Sequence, residues 1–400
     1  MKRATYLFGA FAVLFLGAMV SSLSGQGNSV GNRRDGQHLF ERETFGGNGR
    51  TCQTCHSRET GTVSPEDAQA RFAKDPNDPL FVHDGSDDGL GHGVTRMLSD
   101  ATVLMSIPLH SNVTLKNAPL ERFVTVRRGI PTTINTPALD PVLMLDGRQP
   151  NLQAQALSAI QAHAQNIAVV RQAELERIEQ FQKTSRFFSS PALELFANGG
   201  PAPGLPFGNT DSEKRGRRFF EDVPPDFSVD PPDFRPGLCA GCHSGPLLNQ
   251  TNQFLPLAVP PGTRFQGVLV SEFNVAGNPV IDFVFHNQVH DFFDGVPDGI
   301  IEVSSPDPGR SLITGVADDI FPFPPGSFDH LNAFKNSPLR GIKNTAPYFH
   351  DNSAKTLEDV AAHYKNFFEI VTDPDGPGGV EPLILSPQDQ ADIVAFLKLL

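Results

Sequence analysis

The sequence predicts a mainly α-helical protein: two tandem helical units with long loops, and a small irregular or β insertion in the second. Three observations carry that prediction. The frame Cys-x-x-Cys-His occurs twice, as Cys52, Cys55 and His56 and again as Cys239, Cys242 and His243, and the chain of 400 residues has no other cysteine. A short amphipathic helix signal precedes each frame. Pro and Gly number 35 and 36, enough to break the chain into many loops.

Taken in order, Lys2 and Arg3 precede an apolar run from Tyr6 to Val20, and small residues follow in SSLSGQGNS. That is the pattern of an export signal cleaved near Ser22–Gln26. The run is shorter than the about 20 residues that span a bilayer. Residues 1–26 are therefore expected to be removed, leaving a periplasmic bacterial protein with no stable membrane insertion. RRDGQHLFERETF is the first helix signal, with Leu39, Phe40 and Phe45 apolar. A helical pattern then covers residues 151–187. The stretch from Phe196 to Thr210, rich in Gly, Pro and Asn, has no periodicity and divides the chain into units 27–205 and 206–400.

The second unit opens on TDSEKRGRRFFEDV, with Thr210 or Asp211 as N-cap and Phe219 and Phe220 as its apolar face. From Leu255 to Gly315, short alternating runs such as IDFVFHNQV sit among Pro, Gly and Asp and predict strands or an irregular insertion. LSPQDQADIVAFLKLL closes the chain as an amphipathic helix capped by Ser386.

The net charge of −13 leaves no basic stripe to neutralise phosphates, which excludes nucleic acid as a partner. Export makes disulfides the first alternative for four cysteines. Yet both pairs carry His directly after the second Cys, although the chain has only 12 His. A zinc site would bring its two pairs within roughly 15–20 residues of each other. The frame instead matches covalent attachment of haem c. Two cysteines on one helical turn reach both vinyl groups of a porphyrin, and the next residue lies under the iron. His56 and His243 are the expected proximal ligands of two haems, and helix, loop and frame together read as a cytochrome c-like domain, twice.

With the frames, LDGRQPNLQAQA between them and LRGIKNTAPYFHDNSAKTLEDVAAHY after the second, the chain resembles the bacterial dihaem cytochrome c peroxidase/MauG superfamily. The resemblance implies a peroxide-handling haem in the first unit and an electron-transfer haem in the second. At the second haem, the position that is Met in the peroxidases and Tyr in MauG-type proteins is Tyr364, with neighbouring His363 as the alternative. No Met follows Met144, so a His/Met site is not available there.

At the first haem, the distal Gln of the peroxidases corresponds to Gln155. Their distal Glu falls on Gln165, which cannot carry a proton as a carboxylate does. His163 is expected to replace that acid or to ligate the iron. Some peroxidases cap this haem with a loop His, for which His83, His92 and His110 are candidates, or the site is five-coordinate. The Trp that commonly stands between the haems is Leu145 here, and the chain has no Trp. The family's calcium ion implies carbonyl ligands at Thr345 and Pro347, while its Asn ligand aligns near Gly129. The implied activity is reduction of hydrogen peroxide with electrons from a small cytochrome c or cupredoxin, in a monomer or homodimer. The alternatives are a MauG-like oxidase or oxygenase acting on a protein or organic substrate, and a non-catalytic dihaem electron carrier.

Overall fold

In the helix over residues 35–41, Leu39 and Phe40 turn inward and, with Phe45, pack on Ile160, Ile178, Phe181 and Phe187. The computed structural model describes residues 35–230, 232–254, 259–288, 299–317, 330–372 and 383–400. The expected export signal lies outside them. Among the described residues no helix is long and apolar enough to cross a membrane.

The first helix crosses the helix Gln172–Gln182 closely enough that a Cβ on Gly36 would lie 2.2 Å from the Arg177 carbonyl oxygen. The second half uses the same device. Thr210 caps the helix Asp211–Arg218 by accepting from the Glu213 amide, and Ser386 caps Pro387–Leu397 by accepting from Asp389. Where these two helices cross, a Cβ on Gly216 would lie 1.9 Å from the Asp392 carbonyl oxygen. Phe219, Phe220, Leu385, Ile393 and Phe396 bury the crossing.

The helical pattern expected over 151–187 is divided. One helix, Leu152–Ala162, ends at His163, a second runs over Gln172–Gln182, and a short 3-10 turn covers Ser185–Phe187. The break has a local cause. Gln165 takes a left-handed backbone (φ 51), and the Ala164 carbonyl accepts from the Asn48 amide at 2.8 Å instead of continuing the helix.

Strands appear in the expected region, Ile281–Gln288 pairing antiparallel with Gly299–Ser305. They are not confined to the second half, contrary to the sequence expectation. Thr102–Pro108 pairs with Phe123–Gly129, and Val113–Leu115 adds to the edge of Ile281–Gln288. A third apolar cluster joins both halves through these strands, with Ile107, Val113, Val126, Phe283, Phe285 and Leu312 among its buried members. The alternation in TVLMSIP and FVTVRRG is the period-2 signal of a half-buried strand. This β layer covers the first half's Cys-x-x-Cys-His frame, since Val103 and Met105 line the cavity over it.

Candidate haem centres

The two frames fold alike. Cys52–Cys55 forms one α-helical turn, and the His56 amide bonds the Cys52 carbonyl at 3.0 Å. Cys239–Gly241 forms one 3-10 turn, and the His243 amide bonds the Cys239 carbonyl at 2.8 Å. His56 Nδ1 lies 2.8 Å from the Gly61 carbonyl oxygen, and His243 Nδ1 lies 3.0 Å from that of Leu248. Both carbonyls belong to residues with positive φ, Gly61 at 67 and Leu248 at 57. A carbonyl only accepts, so each Nδ1 carries the proton and each Nε2 keeps a lone pair. This is the arrangement that orients a metal-ligating imidazole. Burial lowers the pKa of both rings and keeps them neutral, as a ligand must be.

No disulfide joins any two of the four cysteines. Burial pushes Cys52 and Cys242 up to about 12 and raises Cys55 and Cys239 as well, so none is held as a thiolate. Among the described residues no group of three or more His, Cys, Asp or Glu side chains gathers into a metal site. Nucleophilic thiolate chemistry needs the charge that burial opposes here, and zinc would need more than one pair of thiols within reach. A thioether to a porphyrin is neutral and suits the same surroundings. The residues present fit haem c.

Over the first frame lies a cavity, partly open to solvent, bounded by Cys52, Cys55 and His56. Gln155, Ala159 and His163 line it too, four residues apart and so on one stripe of the helix Leu152–Ala162 and its cap. Gln155 and His163 thus both reach the cavity wall. Gln165 does not. Beyond the helix end it turns outward, is exposed, and its Oε1 accepts from Asn48 Nδ2 at 3.1 Å. Its withdrawal is the direct result of the helix break.

His163 Nδ1 bonds Asp84 Oδ2 at 2.5 Å, and Arg50 Nη1 donates to the other carboxylate oxygen. Burial alone would raise the Asp84 carboxyl; His163 and Arg50 outweigh it and hold the group below its ordinary value. Sequence reasoning missed both partners. Arg50 stood two residues before Cys52, and Asp84 sat in an acidic turn that reads as solvated. Neither His83 nor His92 lines this cavity. His83 Nε2 bonds the Ala162 carbonyl at 3.1 Å, and His92 is exposed beside Asp88. His110 lines an adjoining space that shares Met105, Met144, Ala159 and His163 with the first.

Lys335 also lines the first cavity and was not anticipated. Its buried ammonium bonds the Val142 carbonyl at 3.0 Å and pairs with Asp140 at 3.2 Å, a carboxylate it shares with Arg264 at 2.6 Å. Two cations thus meet one buried anion. The next residue, Asn336, donates to the Cys242 carbonyl at 3.2 Å, so one peptide step connects the two frames. The Lys335 amide bonds the carbonyl of Leu145, the position of the family's inter-haem Trp.

In the second half, Tyr364 sits half-buried on the helix Leu357–Val371 among Phe349, Phe367 and Phe368. Burial raises the pKa of its phenol, and the second frame's Cys242 and Cys239 lie within electrostatic reach of it. His363 is engaged elsewhere. Its Nε2 bonds the Val268 carbonyl at 2.7 Å, and its ring packs on Phe349 and Phe273.

Thr345 and Pro347 bracket Ala346, but the family's calcium set is not reproduced around them. Gly129 brings no side-chain oxygen, and a Cβ there would lie 2.1 Å from Asn352 Oδ1, so an Asn has no room.

No family model matches the sequence, and no curated protein does. Among solved structures, the chain is similar to a MauG-like protein associated with microbial copper homeostasis, at 17% identity over 92% of this chain and 88% of that one, TM-score 0.47. It is similar to the dihaem peroxidase BthA from Burkholderia thailandensis at 14% identity, 92% and 85% coverage and TM-score 0.41. The hydrazine synthase of Kuenenia stuttgartiensis aligns over 100% of both chains at 14% identity and TM-score 0.40. These values are low, and the reading of the two centres rests on the residues themselves.

Proposed function

We propose that this chain is a periplasmic dihaem c-type cytochrome that reduces hydrogen peroxide at the His56 centre, drawing electrons through the His243 centre from a small cytochrome c or cupredoxin. The observation that carries the reading is the inequality of two frames whose proximal geometry is the same. One borders a cavity with Gln155 and His163 on its wall; the other has Tyr364, set in a cluster of Phe rings, within electrostatic reach.

When bound, the first haem supplies the redox chemistry by which peroxide, two electrons and two protons become two waters. The chain's part is to hold and position. Cys52 and Cys55 anchor the group, and Gly61 fixes the His56 ring with Nε2 free. Gln155 offers a neutral amide to bind and orient peroxide, and His163 offers a ring nitrogen to move its proton. Lys335 and Asn336 give the two centres a common backbone segment. At the second centre Tyr364 would hold the iron, and a phenolate there would favour the oxidised metal.

That same tyrosine supports a second reading, a MauG-like oxidase or oxygenase acting on a protein or organic substrate. Turnover separates the two. A peroxidase consumes peroxide in step with oxidation of a reduced donor cytochrome or cupredoxin. Slow donor oxidation together with peroxide-dependent oxidation of an added phenol or protein would replace the first reading with the second.

A further inference from the structure

The cluster around His163 is more elaborate than a wall residue needs. We propose that Asp84 is a positioning residue, held by Arg50, which fixes His163 as a proton acceptor with Nε2 toward the first cavity. The inference rests on the peroxide reading above and deepens it.

Asp84 is 4% exposed and Arg50 2%. A carboxylate accepts from Nδ1, so Nδ1 carries the ring proton and Nε2 bears the lone pair. Nε2 has no partner among the described residues, while the ring lines the cavity with Cys55 and His56. Arg50 has no freedom to enter the chemistry itself. Its Nε donates to the Pro79 carbonyl at 2.8 Å, and its Nη2 to those of Leu80 at 2.9 Å and Val82 at 2.6 Å. The loop closes tightly on the guanidinium: a Cβ on Gly85 would lie 1.9 Å from the Leu80 oxygen and 2.6 Å from Arg50 Nη2. Asn48 Nδ2 meanwhile holds the His163 carbonyl at 2.9 Å. Asn48 and Arg50 run directly into Cys52, so the segment that attaches the cofactor also fixes the acceptor.

The step balances simply. A peroxide O–H bond breaks and its proton passes to Nε2; the same proton then goes to the departing oxygen, which leaves as water. The donor protein supplies two electrons and solvent two protons to the oxygen that remains, giving two waters in all. A plain ion pair joining a helix end to a loop would show the same distances, so the test must see His163 act through Asp84.

Asp84→Asn, His163→Gln and the double variant are compared in the full dihaem protein. Readouts are the second-order rate of the ferric form with hydrogen peroxide and the dissociation constant of cyanide, which must shed a proton from hydrogen cyanide to bind. His163→Gln is expected to slow peroxide by about 10²–10⁴-fold. Asp84→Asn, acting one shell further out, is expected to cost about 10–100-fold. Both singles weaken cyanide, and Asp84→Asn costs nothing more once His163 is Gln. Equal losses from Asp84→Asn in both backgrounds, or unchanged cyanide affinity in both singles, overturn the proposal. If Asp84→Asn fails to take up two haems, Asp84→Glu replaces it in the cycle, with a partial loss expected that vanishes in the His163→Gln background. A wild-type protein indifferent to peroxide defeats the functional reading, while the cyanide cycle still decides the role of Asp84.

Discussion

Replacing Gly216 with Ala sets two effects of opposite sign against each other. In an exposed helix interior alanine is favoured over glycine by about 1 kcal/mol, so propensity alone predicts a more stable protein. The helix crossing predicts the reverse. The new Cβ would lie 1.9 Å from the Asp392 carbonyl oxygen, 2.6 Å from its carbon and 2.9 Å from Phe396 Cβ, where ordinary contact starts near 3.4 Å. Two of these atoms are backbone, so the helices must separate by about 1.5 Å. Overpacking of this kind costs about 1–3 kcal/mol, and disturbing the Phe220–Phe396 stack, 5.1 Å between centroids, adds about 0.5–1.5 kcal/mol. The net expectation is destabilisation by about 1–3 kcal/mol, or a fall in Tm of about 2–10 °C. Thermal melting of the holoprotein by far-UV circular dichroism measures it, and the Soret band reports the second centre, because the Phe219 carbonyl accepts from the Cys239 amide at 2.8 Å. Gly36→Ala, at 2.2 Å from the Arg177 oxygen, should behave likewise. A Tm raised by alanine at either position would refute the close-crossing account.

Three further outcomes are expected. Tyr364→Met should raise the potential of one haem by on the order of 0.1 V, read by spectroelectrochemistry, since a thioether favours the reduced metal where a phenolate does not; a shift from His363→Ala in place of Tyr364→Met would assign the ligand to His363. Lys335→Met should lower the potential of the first haem by some tens of millivolts, on the order of 1 kcal/mol for loss of a partly buried positive charge; no change would mean that Asp140 already screens it. Arg128 and Arg148 outweigh burial to hold the Asp146 carboxyl below its ordinary value, so its stability contribution is complete above about pH 4 and is lost as pH falls through the lower folded pKa. Asp146→Asn should lower Tm at pH 7 and flatten its decline between pH 5 and pH 3; an unchanged slope would contradict that sign.

The attachment frames were legible because their chemistry is local: Cys, Cys and His within one turn mean the same thing in any fold. Tyr364 was singled out only by elimination of Met and by likeness to a motif, and the structure sets its ring among Phe349, Phe367 and Phe368. Gln165 was misplaced because helical periodicity continues through residues 163–171, while the Asn48 contact that ends the helix comes from more than a hundred positions away. The strand Thr102–Pro108 shows alternation that was readable, yet strands were expected only in the second unit. Arg50, Asp84 and Lys335 carry no pattern at all, since a buried charge is recognised by its partners and those are distant in sequence. For the same reason the crossings at Gly36 and Gly216 read only as weak points in two helix signals.

The most direct test of two unequal haem centres is the electronic spectrum of the ferric and ferrous protein with and without carbon monoxide. One haem of two is predicted to be high-spin in its reactive state and to bind carbon monoxide when reduced, with His56→Gly abolishing that response and His243→Gly sparing it. Two low-spin haems that ignore carbon monoxide would contradict the account and leave an electron carrier.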